Sequence, residues 1–171
     1  MFAKLKQRWR DTRTIMTLSL DAERRALGEG QRHPGAEHYT LAALDLPDGS
    51  ARRVFERIGA DPEAYRAALV NRHAAALNGI GLAAPGLDAG HAEPPAEPTR
   101  LFDAQPSGQA LMQSLPELQR RLPAPLCGAH VLLAAASMAH SAAGRAFKTI
   151  GIDPQALGRA AEAELRAAIP T

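Results

Sequence analysis

The residues able to do chemistry are few, and they fall at two stations. His38 follows Glu37 in "GAEHYTLAAL", and His130 follows Ala129 in "CGAHVLLAAA". Cys127 stands three residues before His130, and His33 five before His38. A Cys-x-x-His step with two further histidines raises zinc. Zinc sites, however, show two ligand pairs at short spacing, and these four residues are split between distant stations, so no metal or other cofactor is expected. A thiol near an imidazole raises a small hydrolase using His38 or Cys127. Such an enzyme needs a nucleophile, a base and an orienting group within hydrogen-bond reach, and the sequence names no such set. The plainer reading of both histidines is a hydrogen-bonded helix start that fixes the loop before it. Glu37 has two readings. It is a favourable charge at a helix N-terminus, or it is a carboxylate that receives an arginine or other cation from a bound peptide.

The two stations are copies of one another. Shifted by 92 positions, the stretch from His38 to Leu69 lies on His130 to Ala161 without a gap, with 13 identities in 32 positions. They include His38 with His130, Phe55 with Phe147, and Ile58-Gly59-x-Asp61-Pro62 with Ile150-Gly151-x-Asp153-Pro154. Shared alanine richness does not place His, Phe and Gly-x-Asp-Pro in register. The last motif is punctuation. Gly59 and Gly151 stop a helix where a left-handed backbone is needed. Asp61 and Asp153 cap the next helix with their carboxylates, and Pro62 and Pro154 open it where a missing N–H costs nothing.

Four helices per copy follow. The first are expected over Arg13–Glu29 and Ser107–Arg121. The second, Ala36–Leu46 and Gly128–Ala139, are short and nearly all apolar, and a helix apolar all round is a buried one. The third are Ser50–Ile58 and Ser141–Ile150. The fourth begin at Pro62 and Pro154. The later one carries Leu157, Ala160, Ala161, Leu165, Ala168 and Ile169 on one side, and the earlier one Tyr65, Ala68, Leu69, Ala76 and Leu77. The divisions are a basic N-terminal extension over 1–11, repeat 1 over 12–77, a Gly/Pro-rich linker over 78–106 and repeat 2 over 107–169, in one compact domain. In the extension, Phe2, Leu5 and Trp9 recur at helical spacing among Lys4, Lys6, Arg8 and Arg10. It reads as a continuation of the first helix, or as a surface for a partner helix or a membrane face.

Composition agrees. The chain has 171 residues, 46% apolar, with aromatics only 4%, a helix-forming mixture rich in alanine. A net charge of +2 is too small to make nucleic acid the main partner. One cysteine excludes an internal disulfide and fits a reducing compartment. No apolar run is long enough to span a membrane, and no apolar core follows the basic start. A cytoplasmic location is the expectation.

The pattern Gly30, Gly35, Glu37, His38, Leu41, then Ala51, Phe55, Ile58, Gly59 and Asp61, repeated at His130, Leu132, Leu133, Ala143, Phe147, Ile150, Gly151 and Asp153, resembles the Clp N-terminal domain. The resemblance covers roughly residues 12–169. It implies an all-α fold of two tandem four-helix repeats related by a pseudo-twofold axis. It also implies a non-catalytic module that receives substrates or adaptors for a Clp-type ATPase. The family usually reads Gly-Thr-Glu-His at the second helix. In some members that Thr and Glu hold the phosphate and guanidinium of a phosphoarginine. Here Ala36 takes the Thr place and Glu37 is kept; in the second copy Gly128 and Ala129 stand in the two places. Glu37, His38, Ala129 and His130 are therefore the expected peptide-binding positions. No G-x-x-x-x-G-K-[ST] loop occurs, so the chain has no phosphate cradle of its own. The expectation is a stand-alone member that binds proteins or peptides for, or in competition with, a separate ATPase. The alternatives are the small hydrolase and a structural helix-docking partner.

Overall fold

The structure, a computed structural model, describes residues 2–79 and 103–169. Among them are eight helices and no strand: α1 (Phe2–Gly28), α2 (Ala36–Leu44), α3 (Ser50–Arg57), α4 (Pro62–Gly79), α5 (Pro106–Arg121), α6 (Gly128–Ala136), α7 (Ala142–Thr149) and α8 (Pro154–Ala167). Most of the expected linker, from 80 to 102, lies outside the described residues, as do the side chains of Ala76 and Leu77.

The turn chemistry works as its residue types require. Gly59 and Gly151 both take positive φ, at 64° and 75°, in the left-handed region that glycine enters without a Cβ penalty. The Asp61 carboxylate then accepts from the Glu63 N–H at 2.9 Å. The Asp153 carboxylate accepts from Gln155 and Ala156, each at 3.1 Å. Two helices end earlier than their apolar runs. After Leu44 and Ala136 the backbone tightens into i to i+3 bonds, Asp45 N–H to Ala42 and Ser137 N–H to Ala134. This is the usual way a last turn closes when its carbonyls have no further partner. At the other extreme α1 runs from Phe2, so the basic extension is the opening part of the first helix.

All nine residues of α2 are buried, and α6 is nearly so. These two short helices form the centre and pack on each other. The outer helices cross between the halves: α3 packs on α8, and α7 packs on α4. Phe55 and Phe147, which match in the sequence alignment, meet with ring centroids 6.3 Å apart, and Tyr65 stacks on Phe147 at 4.7 Å. On the final helix Leu157, Ala160, Ala161 and Leu165 are buried, whereas Ala168 caps the helix end in solvent. Charges clamp the rim. Asp45, at the end of α2, gathers Arg25 of α1, Arg52 of α3 and Arg66 of α4 at 2.5, 3.0 and 2.7 Å. Burial alone would raise its carboxyl, but the hydrogen bonds and charges of Arg66 and Arg25 outweigh this and hold it below its ordinary value.

Candidate functional site

Gly35 sits at the N-cap of α2 with extended backbone, φ −96° and ψ 178°. Its N–H donates to His38 Nδ1 at 2.9 Å. That leaves the ring proton on Nε2, which faces Glu29 Oε2 at 3.2 Å. The fully buried His38 thus joins the start of α2 to the turn that ends α1. The hydrogen bond from His38, opposed by burial, holds the Glu29 carboxyl below its usual range. His38 has no surface to offer a peptide, and both of its nitrogens are engaged.

Glu37 is different. Its side chain folds back over the Gly35 backbone, so closely that a Cβ on Gly35 would lie 2.6 Å from Oε2. It is only 8% exposed, and among the described residues Oε2 has no hydrogen-bond partner. Oε1 lies 3.6 Å from His38 Nδ1, but that lone pair is already taken by Gly35. The carboxylate borders a cavity of about 150 Å³, which Glu29, Gln31, Leu69, Arg72 and His73 also line. A buried carboxylate oxygen without a donor is costly. Its position at a cavity suits it to an incoming ammonium or guanidinium.

The matching station in the second half is closed. His130 Nδ1 accepts from the Cys127 N–H at 3.4 Å, and Nε2 faces the Leu122 carbonyl at 3.3 Å. Ala129 is fully buried, with its N–H on Ser50 Oγ at 2.9 Å. The Gly128 N–H reaches toward Asp48 Oδ2 at 3.4 Å. A Cβ on Gly128 would lie 2.8 Å from the Ala43 carbonyl oxygen and 2.9 Å from the Ala51 Cβ. The loop and start of α3 therefore occupy the N-terminus of α6, and no side chain larger than hydrogen fits at 128. Of the four expected binding positions, the structure brings Glu37 to a cavity and sets His38, Ala129 and His130 in the core.

Cys127 Sγ lies 3.4 Å from His130 Nδ1, a contact that invites nucleophilic chemistry. Burial pushes the thiol up and the imidazole down, so both neutral forms are favoured. The far nitrogen meets a main-chain carbonyl rather than a carboxylate. A thiolate nucleophile needs the opposite bias. Among the described residues no group of three or more His, Cys, Asp and Glu side chains is placed to hold a metal ion.

Sequence reasoning missed Glu29, Gln31, Arg72 and His73. A signal for the last two was present. They follow Leu69 by three and four positions and so share its side of α4. Comparison with family models, curated proteins and solved structures finds no match to the chain.

Proposed function

We propose that this chain is a non-catalytic, cytoplasmic protein- or peptide-binding module of the Clp N-terminal kind. In this reading it recognises substrates or adaptors for a separate Clp-type ATPase, or competes with that ATPase for them. The duplicated helix starts, the meeting of Phe55 with Phe147 and the crossed packing of α3 on α8 and α7 on α4 support two four-helix repeats about a pseudo-twofold axis. The observation that carries the binding function is the Glu37 carboxylate, buried at the cavity with Oε2 unpartnered. A cation on a bound peptide would supply the missing donor, and Leu69 gives the aliphatic part of that side chain an apolar wall.

Calorimetric titration with arginine-containing peptides tests this reading, alongside recovery of a Clp-type ATPase on the immobilised protein. A hydrogen bond to a charged group contributes about 1.5–3 kcal/mol, so Glu37→Ala should weaken the peptide roughly 10- to 150-fold. Equal affinity of parent and Glu37→Ala would remove the site from consideration. Failure to retain any Clp-type ATPase or its clients would remove the wider assignment.

A further inference from the structure

Helix α1 is apolar on two separate sides. Ile15, Leu18, Ala22 and Ala26 face the core. On the other side Leu5, Trp9, Met16, Leu20 and Leu27 are 58, 74, 47, 50 and 60% exposed. At 3.6 residues per turn these five fall within an arc of about 60°. The body holds the helix in this pose. α1 packs chiefly on α2, and the inward-facing Asp11 accepts from the Leu126 N–H and from Gln119 Nε2, both at 2.9 Å. A solvated face would be polar. An apolar stripe this narrow, kept along a helix of 27 residues, has the geometry of a coiled-coil seam.

Two charged residues stand in the stripe, Arg13 and Glu23. Among the described residues neither forms an ion pair within the chain, although neighbouring Asp21, Arg24 and Arg25 do. Their positions identify the partner. Trp9, Met16 and Glu23 are spaced by heptads, and so are Arg13, Leu20 and Leu27. In an antiparallel pair of α1 helices the two sets face one another. Trp9 meets Leu27 of the second copy, Arg13 meets Glu23, and Met16 meets Leu20. Every one of these pairs is equidistant from Leu18, so one twofold axis generates them all. Apart from Leu5, whose counterpart position lies beyond the end of α1, each apolar side chain of the stripe finds an apolar one, and the two charges find opposite charges. A parallel pair would set Arg13 on Arg13 and Glu23 on Glu23.

We propose that the outer face of α1 is the interface of a symmetric, antiparallel dimer of this chain. The proposal is independent of the Glu37 site. Sedimentation of the full chain should show mass moving from 18.1 kDa to twice that at roughly tens of micromolar. Trp9, the one tryptophan, should shift its emission to the blue in step. Leu20→Glu should abolish the dimer and leave the melting temperature of the exposed-face variant near the parent's. Arg13→Glu and Glu23→Arg should each weaken self-association about tenfold, since like charges then face across both symmetric layers. Mixing those two variants should restore a tight heterodimer, because every charged layer is again of opposite sign. A monomer throughout that range overturns the proposal, as does a dimer indifferent to Leu20→Glu or a mixture no tighter than its components. So does a blue shift seen only with phosphatidylglycerol vesicles while the protein sediments as a monomer; that result would give the face to an anionic lipid surface.

Discussion

Glu164 of α8 and Arg53 of α3, 111 positions apart in the chain, are joined by a 2.6 Å hydrogen bond between carboxylate and guanidinium. Arg57 donates to the other carboxylate oxygen at 3.0 and 3.1 Å. Glu164 is buried, while both arginines are about half exposed. One carboxylate thus ties a helix of each half together at the rim of the core.

That clamp predicts acid sensitivity. Burial alone would raise the Glu164 carboxyl, but hydrogen bonds from Arg53 and Arg57 outweigh it and hold the group below its ordinary value of 4.5. A carboxyl depressed in the folded state adds stability that is present above its unfolded pKa and lost as pH falls through the folded one. Glu164→Ala should cost about 1–2 kcal/mol at pH 7, a figure reduced for the exposure of the arginines. The deficit should shrink as pH falls from about 4.5 toward 3. Urea unfolding of parent and variant across that range measures it.

Histidine 130 should give a second, separate pH dependence. Burial lowers its pKa below the ordinary 6.5. The unfolded chain therefore binds a proton between the two values that the folded chain refuses. Stability should fall as pH drops below about 6.5, by at most roughly 1.4 kcal/mol per pH unit from this residue. His130→Gln should be less stable at pH 8 but should show a flatter profile between pH 7 and 5. An unchanged slope in that variant would mean that another group sets it.

The helix stops should be equivalent in cost. A Cβ at Gly59 or Gly151 meets nothing within 4 Å, so replacement by alanine strains only the left-handed backbone. Each substitution should lower stability by about 1–2 kcal/mol, and the pair should add. Gly144→Ala should be far worse, because its Cβ would run into the backbone of Met138 and Ala139. Thermal melts of the four variants check the ranking.

The two helix starts should respond in opposite ways to charge. Glu37→Gln relieves a buried carboxylate, so it should leave stability unchanged or slightly higher while weakening arginine-peptide binding. Ala129→Glu places a carboxylate where the parent side chain is fully buried and should destabilise by several kcal/mol. Denaturation midpoints and peptide titrations on the same preparations separate the two effects.

The helices and their punctuation were legible because the causes are local. Gly59, Asp61 and Pro62 act within a few residues, as do Gly151, Asp153 and Pro154, and the apolar runs of α2 and α6 announced their own burial. The apolar runs overshoot the ends of α2 and α6 by two and three residues, since an apolar run continues past the point where the hydrogen-bonding pattern tightens. Local residue patterns were enough to read the helical class of the described residues, the 13 positions shared at a shift of 92 and the largely apolar central pair. The tertiary structure alone decided which matched residues differ. Glu37 borders a cavity because α4 brings Leu69, Arg72 and His73 alongside, whereas Ala129 is sealed because the start of α3 covers it. The same is true of α1, whose two apolar sides are indistinguishable by composition until packing buries one and exposes the other. Burial depends on which distant segments meet, and no short-range pattern of residue types encodes that.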